Sequence, residues 1–136
     1  MDPQYQEKLS HLKDLIKLSQ IDGEESHMEM NFIKSVADRL GVDRSDIEKI
    51  KSGDLKIKFS TPKFENQVIE QFHRLVLLIG IDKMIHREEI NFCFELGVRM
   101  GLNYNAITEV LRKTVTSPAH LMHKDEIEEI FKKYSN

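Results

Sequence analysis

Apolar residues recur at spacings of three and four along most of the chain, which is the periodicity of helices with one buried face. A first helix is predicted from Tyr5 onwards. A second helix is predicted to begin after Ser26, because Ser26 and Glu29, three residues later, form a capping-box pattern. Gly41 is predicted to end this helix. The apolar face of this second helix carries Met28, Phe32, Ile33, Val36, Ala37 and Leu40.

The periodicity changes to two between Ser52 and Ser60, where Leu55, Ile57 and Phe59 alternate with lysines. A single strand would have no pairing partner elsewhere in the chain. We therefore predict an extended connector that docks three apolar side chains on the helices.

Helical periodicity returns after the connector and continues to the end of the chain. Thr61-Pro62 is predicted to open a long central helix, and Ser117-Pro118 is predicted to open the last one. The predicted fold is all-α, a single domain of about seven helices spanning residues 5–134.

The second half of this pattern repeats the first after sixty residues, with internal repeats at about 9–51 and 68–112. Without gaps, the identical pairs are Leu15/Leu75, Leu18/Leu78, Ile21/Ile81, Asp22/Asp82, Glu29/Glu89, Asn31/Asn91, Phe32/Phe92, Arg39/Arg99, Gly41/Gly101 and Ile47/Ile107. We interpret this as a duplicated helix, acidic turn and helix, with the copies related by a pseudo-two-fold axis. The second copy has Leu77, Phe94 and Val98 where the first has charged residues, which predicts that its helix pair is central.

Each copy ends one helix with an aspartate and begins the next with a glutamate. Because the chain reverses between them, Asp22 can lie near Glu29, and Asp82 near Glu89, and adjacent carboxylates favour a cation. Oxygen ligands suit a hard divalent cation of unknown identity. Auxiliary ligands within the two turns are Glu25, His27, His86 and Glu88.

The alternative interpretation is local hydrogen bonding, which accounts for every part of this pattern. An aspartate can accept turn amides, and a glutamate in a first turn stabilises a helix N-terminus. An EF-hand is excluded, because the two upstream ligand positions are Leu18 and Gln20 in one copy and Leu78 and Gly80 in the other.

The pattern Ile-Asp-Gly-x-x-x-x-x-Glu-x-Asn-Phe, followed by a helix ending in Arg-Leu-Gly, resembles the TerB-like family of tellurite-resistance proteins. The N-terminal part of DjlA-type co-chaperones also resembles this fold. The similarity covers roughly Leu9 to Arg112. It implies an all-α fold with an acidic cluster for a divalent metal, matched here by Asp22, Glu29, Asp82 and Glu89. Lys83 departs from the family's glycine and places a cation beside the second turn.

The overall composition restricts the partners that the chain could bind. Twenty basic residues against 23 acidic ones give a net charge of −3, so no global field favours nucleic acid or a membrane surface. The charged N-terminus and the single cysteine predict a cytoplasmic protein. The alternative function is a metal-free adaptor that contacts another protein through the connector Asp54 to Phe59.

No sequence motif predicts an enzyme. Cys93 lies in an apolar helical context, typical of an inert thiol. His120 and His123, three residues apart, form a further candidate ligand pair, although surface or capping histidines are commoner.

Overall fold

The computed structural model describes residues 2–23, 26–81 and 84–135, and within these ranges it contains seven α-helices and no β-strand. The predicted all-α class and helix number are therefore confirmed for the described part of the chain. By its internal contacts the chain divides into two compact units, Met1–Pro62 and Lys63–Asn136.

The first unit contains α1 (Pro3–Gln20), α2 (His27–Leu40) and α3 (Arg44–Ser52), each of which contacts the other two. α2 begins and ends as predicted: Ser26 caps its N-terminus, and Gly41 ends it with a φ of 74°. The buried face of α2 is shifted, since Met30 is buried while Met28, beside the cap, is 63% exposed. The prediction for Met28 was therefore wrong.

The connector that follows α3 is held along α1 by polar contacts. Gln6 Nε2 donates to the Lys58 carbonyl (3.1 Å) and Lys13 Nζ to the Ile57 carbonyl (3.2 Å), while the Ser60 N–H donates to Ser10 Oγ (3.0 Å). Ile57 is buried. The backbone thereby satisfies part of its hydrogen bonding without a strand.

The second unit contains α4 (Glu65–Ile79), α5 (Arg87–Arg99), α6 (Tyr104–Thr116) and α7 (Lys124–Lys133). α4 contacts α5 and α7, and α6 contacts the same two helices, so the four form a closed bundle. The fully buried Phe72 of α4 meets Phe131 of α7 edge-to-face at 6.1 Å between ring centroids.

Both proline-containing helix starts were predicted too early. α4 begins at Glu65 rather than Thr61-Pro62, because the carbonyl of Phe64 is the first to accept, from the N–H groups of Gln67 and Val68. Ser117 instead ends α6, its N–H donating to the Lys113 carbonyl, and α7 begins only at Lys124.

The extra apolar residues of the second sequence repeat are not all buried. Phe94 and Leu77 are half-buried, while Val98 is 46% exposed, so the expectation that they mark a central pair fails at Val98. Gly97 of α5 lies in close contact with the core. A Cβ atom at this position would lie 2.8 Å from the Ile107 side chain and 3.0 Å from the Phe72 side chain, which leaves no room for a larger residue.

Candidate functional site: two acidic helix corners

The first corner joins α1 to α2. α1 ends at Gln20, whose carbonyl accepts from the N–H of Gly23 (3.1 Å), and Asp22 lies half-buried in the turn. Gly23 has a φ of 79°, a conformation that glycine adopts without strain. Glu25 lies outside the described residues, so its part in the corner stays a prediction.

Glu29 closes this corner through the predicted capping box. Ser26 Oγ accepts from the Glu29 N–H (3.1 Å), and Glu29 Oε1 accepts from the Ser26 hydroxyl (3.0 Å) and the Ser26 N–H (3.4 Å). Only 2% of Glu29 is exposed. The carboxylate is thus held inside the protein with one oxygen engaged by the helix cap.

The second corner, between α4 and α5, repeats this arrangement around Glu89. Glu89 Oε1 accepts from the His86 N–H at 2.9 Å, and the Glu89 N–H donates to the His86 carbonyl at 3.1 Å. Glu89 is 1% exposed. The predicted ligand Asp82 and its neighbour Lys83 lie outside the described residues.

The predicted auxiliary ligands differ in their exposure. His27 and Glu88 are exposed, while His86 is half-buried. Across residues 2–23, 26–81 and 84–135, no group of three or more His, Cys, Asp or Glu side chains is arranged to hold a metal ion. The structure therefore supplies one buried glutamate at each corner, and the complete ligand sets stay predictions.

The start of α7 makes the same cap without burial. Glu126, three residues after the N-cap His123, accepts from the His123 N–H at 3.4 Å, and 37% of its side chain is exposed. Capping therefore does not require a buried carboxylate. The burial of Glu29 and Glu89 comes from the surrounding packing.

Cys93 lies one turn after Glu89 and is fully buried. Burial raises the pKa of its thiol well above the ordinary value, and the negative charge of Glu89 raises it further. The thiol therefore stays protonated at neutral pH, which does not suit a nucleophile.

A third buried carboxylate, Glu109 of α6, was missed by the sequence analysis. It accepts from Lys133 Nζ (2.8 Å) and from the Tyr134 hydroxyl (2.6 Å), and Lys113 Nζ lies 3.6 Å away. These donors, Lys133 first, lower the pKa of Glu109 to about 2. The position of Glu109 three residues after the buried Ala106, on the same side of α6, was the available signal.

Comparisons with known proteins give no indication of the protein's function. No family model matches the chain, and neither the curated proteins nor the solved structures provide a match. In the part of the chain that the structure describes, every helix is too short or too polar to cross a membrane.

Proposed function

We propose that the protein is a TerB-like binding module that takes a divalent cation at its two acidic corners. Asp22 and Glu29 would hold the ion at the first corner, and Asp82 and Glu89 at the second. The observation that carries the proposal is the burial of two capping glutamates, whereas Glu126 makes the same cap at the surface.

The physical reason is the cost of removing a carboxylate from water. A buried ionised carboxylate costs several kcal/mol unless charges or donors compensate it. The cap donates hydrogen bonds to Oε1 of each glutamate and so places a carboxylate at each corner, and a divalent cation there would be attracted to its negative charge. With oxygen ligands, a hard ion such as Ca²⁺, Mg²⁺ or Mn²⁺ suits the corners better than a soft one.

The proposal treats the two corners as copies of one ancestral unit related by a pseudo-two-fold axis. Both have a glutamate at the third helical position whose side chain accepts from the N-cap N–H. A cytoplasmic role in the stress response, including tellurite resistance, rests on the family resemblance alone. The activity proposed is binding rather than catalysis.

Thermal unfolding during cation titration tests the proposal. Ca²⁺, Mg²⁺ and Mn²⁺ are added separately to wild type, Glu29→Gln, Glu89→Gln and the matched surface control Glu126→Gln. Glutamine keeps a cap acceptor but removes the charge. A cation at about one hundred times its Kd should raise the melting temperature of wild type and the control by about 8 °C for each corner that it occupies.

The two corner variants should each lose part of this rise, and the double variant should lose all of it. If the double variant responds to each cation as wild type does, the corners do not bind the ion. The metal-free melting temperature of every variant is measured alongside, so that lost binding is separated from lost stability.

The alternative function is the metal-free adaptor, favoured by the connector's exposed lysines. Lys56 and Lys58 are exposed, whereas Ile57 between them is buried and Leu55 and Phe59 are half-buried. The connector therefore presents positive charge rather than apolar surface, which suits an acidic partner.

The adaptor function is tested by charge reversal at Lys56 and Lys58. The Lys56→Glu/Lys58→Glu protein should lose an acidic partner in pull-down while its melting temperature stays within about 1 °C of wild type, because both side chains are exposed. Capture that persists in this variant, or that depends on added cation, would contradict the adaptor.

A further inference from the structure

Three side chains of the types that ligate metals in proteins occupy every third position around the start of α7. They are His120, His123 and Glu126, and the first two precede the helix. His120 Nε2 lies 2.7 Å from Glu126 Oε1, and the two imidazole ring centroids are 6.0 Å apart. Both histidines are exposed, and the side chain of Glu126 is partly exposed.

The backbone that carries these side chains is fastened to the second unit. The His120 N–H donates to the Ser117 carbonyl at 3.0 Å, and His73 of α4 contacts the Met122 carbonyl through Nε2 at 2.7 Å. Met122 is buried, and His123 is the N-cap of α7. The ligand-bearing segment is therefore anchored at three successive points, which reduces the entropy lost when an ion binds.

We propose that His120, His123 and Glu126 form a site for a borderline transition-metal ion such as Zn²⁺. Tetrahedral Zn²⁺ with bonds of about 2.0 Å places two imidazole centroids about 5.2 Å apart and a nitrogen and an oxygen ligand about 3.3 Å apart. The observed 6.0 Å and 2.7 Å each differ from these values by less than about 1 Å.

The ion must draw the three ligands together, since no three ligand atoms of the described residues yet converge on one point. That movement is cheap. A surface pair such as His120 and Glu126 contributes roughly 0–1 kcal/mol to stability, so its hydrogen bond can be exchanged for bonds to the ion. In the hydrogen bond to Glu126 the proton of His120 lies on Nε2, because a carboxylate only accepts. On binding, His120 exchanges this proton through water for the tautomer protonated at Nδ1, which leaves Nε2 free to ligate the ion.

The charges around the site are compatible with a cation. The neighbouring Lys124 points its Nζ to Glu70 (3.3 Å) and Glu128 (3.9 Å), and Asp125 adds a negative charge beside it. Two imidazoles and one carboxylate favour Zn²⁺, Ni²⁺ or Cu²⁺ over Ca²⁺ and Mg²⁺. This site thus differs from the acidic corners in its position and in the ion it takes.

Calorimetric titration of the tag-free chain with Zn²⁺ and, separately, Mg²⁺ tests the site. Wild type should bind Zn²⁺ there, and His120→Asn and His123→Asn should each weaken that binding by at least about tenfold. Glu126→Gln should also weaken it. Mg²⁺ should give no heat that depends on these residues.

Two controls locate the ion. His27→Asn removes an exposed histidine of the first unit, and Glu29→Gln/Glu89→Gln removes the corner charges; both should leave this Zn²⁺ binding unchanged. If Glu29→Gln/Glu89→Gln responds to Ca²⁺, Mg²⁺ and Mn²⁺ as wild type does, the corner proposal fails and the α7 site stands. Unchanged Zn²⁺ affinity in a folded His120→Asn/His123→Asn double variant would overturn it, as would no Zn²⁺ binding by wild type.

The NMR resonances of the histidine imidazoles provide an independent test of where Zn²⁺ binds. The imidazole resonances of His120 and His123 should shift together on Zn²⁺ addition, while that of His73, which is bonded to a carbonyl, should not. Zn²⁺-induced shifts confined to His27 and His86 would place the ion at the corners and contradict the proposal.

Discussion

The start of α2 and the start of α7 are built from the same cap but place their glutamates in opposite surroundings. Glu29 accepts from the N–H of the N-cap Ser26 and is buried. Glu126 accepts from the N–H of the N-cap His123 and stays partly exposed to solvent. The exposed carboxylate is available to His120 at 2.7 Å. The local capping motif thus fixes the position of the carboxylate at the start of the helix. The packing around the helix determines whether that carboxylate is exposed to solvent and to surface side chains.

The largest expected effect comes from removing the buried cap. Glu29→Ala should lower the free energy of unfolding by about 2–3 kcal/mol, because it removes the acceptor of the Ser26 hydroxyl and N–H and leaves a void. Glu126→Ala should cost about 1 kcal/mol or less. Equal losses in urea unfolding would show that burial adds nothing to the cap.

Glu109, a buried carboxylate outside any helix cap, extends the comparison to pH dependence. Glu109 is paired with Lys133 and Tyr134, and its pKa is lowered from 4.5 to about 2. A lowered pKa contributes stability that is complete above pH 4.5 and is lost as the pH falls towards 2. Unfolding at a series of pH values should show this loss in wild type.

Lys133→Met is the matched control for that experiment. It removes the first cause of the shift, so the pKa of Glu109 should move back towards 4.5 in an NMR titration. The acid-dependent loss of stability should then still begin near pH 4.5, but it should be complete at a higher pH than in wild type and be smaller. A Glu109 titration that Lys133→Met leaves in place would mean that the ion pair does not control it.

The smallest effect is expected at the surface, where the two segments that match at a shift of sixty residues carry different side chains. Asp38 pairs with Arg44 at 3.0 Å, both side chains being more than half exposed, and the corresponding positions carry Val98 and Tyr104. Such a pair contributes roughly 0.2–1 kcal/mol. Asp38→Val and Val98→Asp should each change the free energy of unfolding by less than about 1 kcal/mol. A larger change would mean that one of these surfaces is covered.

The residues that could be predicted are those whose roles are local. The capping box of α2 and the stop at Gly41 follow from neighbours within four residues and were confirmed. Thr61-Pro62 and Ser117-Pro118 carry equally good start signals, yet no helix begins there. Ser117 closes α6, and the segment after it is held by His73 from α4, a contact forty-nine residues away in sequence.

Side-chain burial was harder to predict than helix position. The apolar Met28 and Val98 are exposed, while the charged Glu29 and Glu109 are buried. Helical periodicity indicates only on which side of its helix a residue lies, and not how much of that side is covered by other helices. The spacing from Ala106 indicated the buried side of α6, but the donors to Glu109, which are Lys133 and Tyr134, were identified only in the folded structure.

By itself, the sequence determined the all-helical class, the approximate number of helices and the caps of α2, because hydrogen bonds within a helix and at its ends join residues close together in the chain. The tertiary structure alone decided which capping carboxylates leave water and which charges meet Glu109. Those outcomes depend on packing between helices distant in sequence, and the free energy of a charge depends on the solvent and the partners around it.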